Sequence, residues 1–276
     1  MAAPTTVAAH YTHGGLLDAI RAGVEKLGKT PESVTVDDLA AVDEFHIGGR
    51  QASADFLGQL NLTADDHVLD VGCGLGGPVR FVASQYRSRV TGIDLTSEYI
   101  ETGKALCAWV GLGDRVTLQQ GSALSTPFPN ETFTGAYMMH VGMNIEDKAG
   151  LCAEVHRVLR SGALFGIYDV MRVSDGDLVY PVPWATTAAT SFVVRAEHYK
   201  QALQAAGFTI VAERNRHAFA IEFFDHMRAK MSAASGPPPL GLHTLMGASA
   251  PDKVQNVVAN ISSGCLTPIE LIARKN

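Results

Sequence analysis

Apolar residues near the start of the chain recur three or four positions apart, the spacing of one face of a helix. This pattern predicts an amphipathic helix at 16–27, and Gly28 follows as a helix-ending residue. Two further helices are predicted, one at 36–42 and one in the segment through Phe56 and Leu60. The pair Gly48-Gly49 before the last of them marks a turn with backbone angles that other residues rarely adopt.

The middle of the chain alternates short apolar runs with helical segments, which is typical of strand–helix–strand units around a parallel sheet. Right-handed crossovers between the strands would place the helices on both faces of that sheet. The strands predicted over the whole chain lie at 67–71, 90–94, 116–119, 133–139, 163–170, 208–213 and 267–273. The helices predicted after the first strand lie at 78–86, 97–110, 148–159, 196–206, 221–231 and 253–261.

These elements predict one catalytic α/β domain with a Rossmann-like, seven-stranded, mostly parallel sheet, helices on both faces and a helical cap. The last strand is expected to be antiparallel. Residues 1–60 are assigned to an N-terminal cap or lid, and residues 61–276 to the core. Two insertions of the core, at about 172–195 and 217–263, are expected to complete the cap.

Charge and cysteine usage narrow the class of protein. The net charge of −6, without a run of Lys or Arg, argues against an extended nucleic-acid surface. The four cysteines are scattered without metal-ligand spacing, so we expect reduced thiols and no metal. The start of the chain has neither the basic nor the apolar segment of a secretory signal, and no stretch long enough to span a membrane follows. We therefore expect a cytoplasmic monomer or homodimer that acts on a small molecule.

A glycine-rich turn follows the first predicted strand and opens a helix. Gly72, Gly74 and Gly77 match G-x-G-x-x-G, whose glycines allow a tight turn and a close approach to a nucleotide-like ligand. The next strand ends at Asp94, where a carboxylate can accept both hydroxyls of a ribose. Together the two elements predict a nucleoside site. The alternative is that the glycines only form a tight turn.

The acid Asp70, two positions before the first glycine, distinguishes between nucleotide ligands. A dinucleotide places its pyrophosphate at the start of the helix, where a nearby carboxylate would repel it. S-adenosylmethionine has an ammonium group, a sulfonium and no phosphate. The charge pattern therefore favours S-adenosylmethionine over NAD.

Four sequence segments resemble a known family. DVGCGLGG at 70–77 resembles the first motif of class I S-adenosylmethionine-dependent methyltransferases, and the resemblance extends over about 66–170. FHIGGR at 45–50 and HVGMNI at 140–145 resemble the small-molecule branch that holds sarcosine/dimethylglycine, tocopherol and sterol methyltransferases. HYTH at 10–13 resembles the start of the lid in the glycine-betaine enzymes of that branch.

The resemblance implies roles for individual residues at the cofactor. Asp94 would hold the ribose hydroxyls, and Leu95 would lie on the adenine face. Ser122 and Ala123 fall where the family has an acid and an apolar residue for the adenine amino group, so a serine hydroxyl or a backbone carbonyl would accept that hydrogen bond instead. The residues of the turn expected at the methionine part are Asp70, Gly72 and Gly74, and Cys73 and Gly76 are also expected to bind the cofactor.

Ligands of open α/β sheets bind beyond the carboxyl ends of the strands, so residues just after the fourth strand should face the transferred methyl group. We expect His140 there as a contact to cofactor or acceptor and as a candidate general base, because a histidine can deprotonate an amine near neutral pH. His46 is the second candidate, in a loop that the resemblance puts near the methionine part. For both, a structural histidine bonded to the backbone or packed in a loop is the alternative. The neighbours of His140 expected at the same place are Met139, Met143 and Asn144.

The cap supplies further candidates for the acceptor site. Trp184 could form an aromatic wall that attracts cationic groups, with a place in the core as the alternative. Phe223, Phe224 and Met227, at helical spacing, are expected in the core. Tyr11 and His13 are expected in a lid that closes on the bound cofactor, with a frayed terminus as the alternative. His243 and Met246 could cover the acceptor, with a hydrogen-bonded loop histidine as the alternative for His243.

The sequence thus predicts transfer of a methyl group from S-adenosylmethionine to a small molecule, with release of S-adenosylhomocysteine. The resemblance favours a small amine such as sarcosine or dimethylglycine as the acceptor. A lipophilic acceptor such as a quinone, tocopherol or sterol, methylated on carbon or oxygen, is the alternative. Two hypotheses of other classes are a nicotinamide-dependent oxidoreductase and a non-catalytic module that binds S-adenosylmethionine.

Overall fold

The computed structural model describes residues 9–12, 14–234 and 236–276. In these residues a seven-stranded sheet has the order β3-β2-β1-β4-β5-β7-β6. Strands β1 to β5 are parallel, and β7 lies antiparallel between β5 and β6, so the predicted sheet is confirmed. The strands are β1 (His67–Val71), β2 (Arg89–Asp94), β3 (Val116–Gln120), β4 (Phe133–Met139), β5 (Leu159–Arg172), β6 (Phe208–Asn215) and β7 (Leu266–Lys275).

Ten α-helices accompany the sheet in the described part of the chain. Most lie within a few residues of the predicted bounds, but the helix predicted at 221–231 begins four residues earlier, and α9 was not predicted. The helices are α1 (Leu16–Lys26), α2 (Val36–Asp43), α3 (Gly49–Leu57), α4 (Gly77–Gln85), α5 (Ser97–Trp109), α6 (Lys148–Val158), α7 (Ala196–Ala205), α8 (His217–Ala233), α9 (Leu242–Met246) and α10 (Ala250–Ser262).

Alternate residues along the central strands belong to two hydrophobic cores, one on each face of the sheet. Leu69 and Met138 pack with α6 and α7, whereas Val68 and Tyr137 pack with α3, α4 and α5. This alternation follows from the two-residue repeat of a strand. Helices therefore cover both faces, and the carboxyl ends of the parallel strands stay open to the cap.

The cap is joined to the core through α2 and α4. The guanidinium of Arg80 is fully buried and donates to the Asp43 carboxylate at 2.5 Å. Burial raises the pKa of Asp43 to about 6, and the charge of Arg80 acts against that rise. A Cβ on Gly77 would lie 2.2 Å from the carbonyl oxygen of Asp43, so this contact requires glycine. The end of α2 is thus fixed against the start of α4, beside the glycine turn.

Two smaller clusters complete the cap. One joins α1, α2 and α9 to α5, and the other joins α8 and α10 to the segment 178–185. Within the described ranges, no helix is both long enough and apolar enough to cross a membrane.

Candidate active site

A cavity of about 1770 Å³ opens at the carboxyl ends of β1, β2, β3 and β4. The loops that follow these strands form its inner wall, and the cap forms the rest through α8, α10 and the turn at 43–49. The volume exceeds the roughly 300–1,000 Å³ of a typical pocket for one small ligand. The cavity can therefore hold a nucleoside-sized cofactor and a second molecule.

The glycine turn reaches the cavity at Gly72 and Gly74, whose φ angles are +77° and +52°. A Cβ on Gly72 would lie 2.4 Å from a methyl carbon of Val141, so Gly72 lets the turn pack against the loop after β4. A Cβ on Gly74 would meet nothing closer than a ring carbon of Tyr99 at 3.9 Å. Gly74 therefore leaves open space for a ligand beside its backbone. Gly76 does not line the cavity and instead precedes α4 at its N-terminus.

Asp94 ends β2 at the wall of the cavity, as its predicted ribose contact requires. Its carboxylate accepts the backbone N–H of Gly74 at 3.0 Å and that of Thr96 at 2.8 Å. Burial raises the pKa of Asp94. Each oxygen keeps a lone pair that can accept a ribose hydroxyl, because a carboxylate has about four acceptor positions.

Asp70 is 2% exposed and lines the cavity from β1. Its Oδ2 atom makes no hydrogen bond of normal geometry within the described structure, although the hydroxyl of Tyr137, which pairs with Asp70 in register on β4, lies close enough to affect its pKa. Burial raises the pKa of Asp70 well above its usual value, the Tyr137 hydroxyl acts against that rise, and the nearby charges of Asp94 and Glu44 add to it. A cationic group at this position would supply the missing partner and offset the repulsion. The ammonium group of S-adenosylmethionine fits that requirement.

The predicted adenine side also lies on the cavity wall, where Leu95, Ser122 and Ala123 follow β2 and β3. The Oγ atom of Ser122 accepts the backbone N–H of Leu124 at 3.2 Å. A hydroxyl can still donate while it accepts, so Ser122 stays available to a ring nitrogen.

His140 lies directly after β4 with φ of +56°, a conformation that residues other than glycine rarely adopt. Its Nδ1 atom is 3.2 Å from the carbonyl oxygen of Tyr168, and its Nε2 atom accepts the backbone N–H of Ile47 at 3.3 Å. Both ring nitrogens are therefore bonded to the backbone. Burial lowers the pKa of His140 to about 3, helped by the neighbouring His46. The ring connects the sheet to the turn that carries His46.

His46 also lines the cavity, with its ring centre 5.9 Å from that of His140. Its Nε2 atom faces the Gly49 carbonyl oxygen at 3.1 Å, the Ser53 hydroxyl at 3.2 Å and the Glu44 carboxylate at 3.5 Å. Burial lowers the pKa of His46 to about 4, and the charge of Arg50 adds to this effect. His46 is therefore neutral near pH 7.

The N-terminal segment crosses the cavity mouth, as a lid would. A ring nitrogen of His10 lies 3.0 Å from the carbonyl oxygen of Pro183, and the Tyr11 hydroxyl donates to Asn144 at 3.3 Å. Tyr11 also contacts Tyr99 on α5. His13, expected in the same lid, lies outside the described residues.

The far part of the cavity is apolar. Trp184 lines it while its indole N–H donates to Ser191 at 3.0 Å, and the exposed His243 lines it from α9. Met246, expected to cover the acceptor, is instead buried in the core between α9 and its neighbours. The apolar side chains that form this chamber, which we call the acceptor chamber, are Met143, Trp184, Phe192, Phe223, Phe224, Met227, Val254, Val257 and Val258.

Two groups of site residues go beyond the sequence prediction. Phe223, Phe224 and Met227 pack in a hydrophobic cluster as expected but also line the acceptor chamber, which the sequence could not show because core and pocket residues have the same helical spacing. Glu44 and Ser53 lie beside His46 without any motif that marks them. No group of three metal-ligand side chains is found in the part of the chain that the structure describes.

Comparison with known proteins agrees with this geometry. Residues 69–167 match the model of a family described as a methyltransferase domain. A sterol 24-C-methyltransferase of Eremothecium gossypii is 29% identical over 163 residues, which are 56% of this chain and 43% of the relative. A protein of Oryza sativa subsp. japonica assigned as a chloroplastic tocopherol O-methyltransferase is 42% identical over 96 residues, 35% of this chain and 26% of the relative. The matched parts are thus less than half the length of these relatives.

Solved structures share the fold over nearly the whole chain. Geranyl diphosphate C-methyltransferase of Streptomyces coelicolor A3(2), in complex with Mg2+, geranyl-S-thiolodiphosphate and S-adenosyl-L-homocysteine, has a TM-score of 0.73 at 16% identity and covers 100% of this chain and 99% of its own. A protein of Galdieria sulphuraria assigned as a sarcosine dimethylglycine methyltransferase has a TM-score of 0.65 at 16% identity, over 94% of this chain and 98% of its own.

Proposed function

We propose that this chain, which carries the methyltransferase domain and the fold of class I S-adenosylmethionine-dependent methyltransferases, transfers a methyl group from S-adenosylmethionine to an apolar small molecule. The observation that carries the proposal is one continuous cavity with the buried Asp70 and the half-buried Asp94 carboxylates at one end and the acceptor chamber at the other. S-adenosylmethionine supplies an electrophilic methyl group when it is bound. The protein then has to align the acceptor with that methyl group and exclude water.

The cofactor end is assigned from hydrogen-bonding capacity and charge. Asp70 would pair with the ammonium group, because its Oδ2 atom is buried without a partner among the described residues. Asp94 would accept the ribose hydroxyls, and Leu95 with Ala123 would enclose the adenine. A dinucleotide suits this end poorly, because a pyrophosphate would lie near a buried acid and add to its repulsion.

The acceptor end favours an apolar molecule over the small amine that the sequence resemblance suggested. Sarcosine and dimethylglycine carry a carboxylate, which needs a buried cationic partner. The cations on the cavity wall at this end, Arg228 and Lys230 on α8, are exposed. An apolar acceptor would instead gain about 25 cal/mol for each Å² of apolar surface that the chamber removes from water. The relatives named for sterol and tocopherol substrates are consistent with this choice.

A radiolabelled-methyl assay over phenols, quinols, isoprenoids, sarcosine and dimethylglycine tests the acceptor class. Incorporation into an apolar acceptor supports the proposal, and incorporation into the amino acids alone contradicts that class. Thermal shifts with S-adenosylhomocysteine and NADH test the cofactor separately. A shift with NADH only would indicate the oxidoreductase, and tight S-adenosylhomocysteine binding without any turnover would indicate the non-catalytic module.

Met227→Glu tests the acceptor chamber itself, because it places a charge among half-buried apolar side chains of the cavity wall. We expect KM for the apolar acceptor to rise at least about tenfold, since burying an unpaired charge costs several kcal/mol. The affinity for S-adenosylhomocysteine should be unchanged. Val211→Glu is the matched control, because Val211 is 52% exposed on β6 and does not line the cavity.

The cytoplasmic location is part of the proposal, and the four buried free thiols support it. A monomeric or homodimeric state stays a prediction from the sequence.

A further inference from the structure

We propose that His46 accepts the proton of a hydroxyl group on the apolar acceptor during methyl transfer. The inference rests on the proposed function. It deepens that function by naming a catalytic residue and the chemical group on which it acts.

The hydrogen bonds of His46 fix its tautomer. The Gly49 carbonyl oxygen, 3.1 Å from Nε2, can only accept, so Nε2 carries the hydrogen. The Ser53 hydroxyl donates to Glu44 at 2.6 Å and therefore also acts as an acceptor towards Nε2 at 3.2 Å. Nδ1 is then the nitrogen with the free lone pair, and no hydrogen bond to it is found among the described residues. The free lone pair thus belongs to a residue that lines the cavity and whose side chain is 2% exposed.

The surroundings of His46 hold the ring in place for this task. The next residue, Ile47, donates its backbone N–H to His140 at 3.3 Å and accepts the Tyr168 hydroxyl at 2.8 Å. These two bonds attach the turn to β4 and β5, where the transferred methyl group is expected. His140 is therefore a positioning residue, because its own nitrogens are both bonded to the backbone. A catalytic group held in this way loses little entropy when the acceptor binds.

Charged groups around the ring decide whether it can take up a proton. The Glu44 carboxylate, 3.5 Å from Nε2, favours the protonated ring, and Arg50, 2.9 Å from the other oxygen of Glu44, opposes it. His140 is neutral, and Asp70 lies further along the same wall. The transfer also removes the positive charge of the sulfonium. The charge on His46 therefore appears as another positive charge in the cavity disappears.

The acceptor oxygen forms a bond to the methyl carbon, and the bond from that carbon to sulfur breaks with its electron pair left on sulfur. The hydroxyl proton passes to Nδ1 of His46. The products are a methyl ether, S-adenosylhomocysteine and a protonated imidazole, which returns its proton to solvent after the cavity opens.

His46→Asn, made in the whole 276-residue chain, tests the role of the ring. We expect kcat to fall at least about 100-fold, because general-base catalysis contributes typically 10²–10⁴-fold. The calorimetric Kd for S-adenosylhomocysteine should stay within about threefold of the wild-type value. Unchanged kcat, or an equal loss of cofactor affinity, would overturn the proposal, and the second result would place His46 at the methionine part.

Two further variants separate catalysis from structure. Ser53→Ala keeps the imidazole ring but removes one of the hydrogen bonds that hold its tautomer. Because such a hydrogen bond contributes ~1.4 kcal/mol, we expect kcat to fall by about tenfold. The fold should be retained. His198→Asn changes an exposed histidine of α7 outside the cavity wall and should leave kcat unchanged.

A measurement without turnover uses ¹⁵N NMR of the histidine rings of the wild-type protein with bound S-adenosylhomocysteine. We expect His46 to carry its hydrogen on Nε2 and to stay neutral down to about pH 5. A hydrogen on Nδ1 at pH 7 would overturn the proposal. Failure of the proposed function would show differently, as absent S-adenosylhomocysteine binding or absent turnover in the wild-type protein.

Discussion

Replacing Gly74 by alanine separates the cost of backbone strain from the loss of cofactor binding. Gly74 has φ of +52°, and an added Cβ would meet only a ring carbon of Tyr99 at 3.9 Å, an ordinary contact. The variant should therefore lose only the strain energy of a left-handed alanine, about 1–2 kcal/mol. For a chain of this size that corresponds to a fall in Tm of roughly 2–8 °C. The fold should be retained.

The same methyl group would occupy space that the bound cofactor needs beside the glycine turn. Forcing an extra methyl group into a filled site typically costs 1–3 kcal/mol, so we expect the S-adenosylhomocysteine Kd to rise by about 5- to 150-fold. Titration calorimetry measures this change, and differential scanning fluorimetry should show a smaller ligand-induced rise in Tm. The variant thus allows the loss of fold stability and the loss of cofactor affinity to be measured separately.

Two other glycines serve as controls. Gly111 has φ of +69°, has open space around its Cβ position and does not line the cavity. Gly111→Ala should therefore lose about as much stability from backbone strain as Gly74→Ala, with unchanged affinity for S-adenosylhomocysteine. Gly72→Ala should destabilise the fold further, because its Cβ would lie 2.4 Å from Val141. If Gly74→Ala binds S-adenosylhomocysteine as tightly as Gly111→Ala does, the turn does not hold the cofactor.

Three further predictions concern titratable groups of the cavity wall. Asp94→Ala should weaken S-adenosylhomocysteine binding at least about tenfold by calorimetry with the fold intact, because two hydroxyl partners are lost; unchanged affinity would refute the ribose assignment. Asp70→Asn should weaken it by roughly 10- to 150-fold, the value of a hydrogen bond to a charged group, with little change in Tm; equal affinity would exclude an ammonium partner. Burial lowers the pKa of His46 to about 4, so as pH falls the unfolded chain takes up this proton first. The contribution of neutral, buried His46 to the free energy of unfolding is therefore complete above about pH 6.5 and is lost as the pH falls towards 4. The total loss is up to ~3 kcal/mol. Urea unfolding of His46→Gln should show a smaller loss over that window, and parallel curves would contradict the assigned burial.

The cofactor end could be predicted from the sequence because it depends on local features. The turn from Gly72 to Gly77 needs positive φ angles and close contacts that only glycine tolerates, and such requirements appear directly in the sequence. The strands before it and before Asp94 are short apolar runs with clear ends. Parallel pairing then brings these ends to the same edge of the sheet.

The acceptor end could not be predicted in the same way. Phe223, Phe224 and Met227 lie on one face of α8, and the pattern of that face is the same whether it packs in a core or lines a cavity. Only the position of α8 over the carboxyl ends of the strands decides between them. The hydrogen bonds around His46 could not be predicted from the sequence either, because they join residues of a turn to Ser53 on α3 and to His140 after β4.

The boundary predicted near residue 60 between cap and core stays a prediction, but contacts on either side of it indicate where the cavity opens. Separating α2 from α4 would expose or unpair the buried Asp43–Arg80 pair, and breaking such a pair costs about 3–5 kcal/mol. The lid contacts are the weaker ones: the hydrogen bonds of Tyr11 with Asn144 at 3.3 Å and of His10 with the Pro183 carbonyl at 3.0 Å join half-buried groups, and each is worth only about 1 kcal/mol. We therefore expect opening at the lid to be the less costly movement, because it leaves the glycine turn, His46 and His140 in their relative positions while ligands exchange.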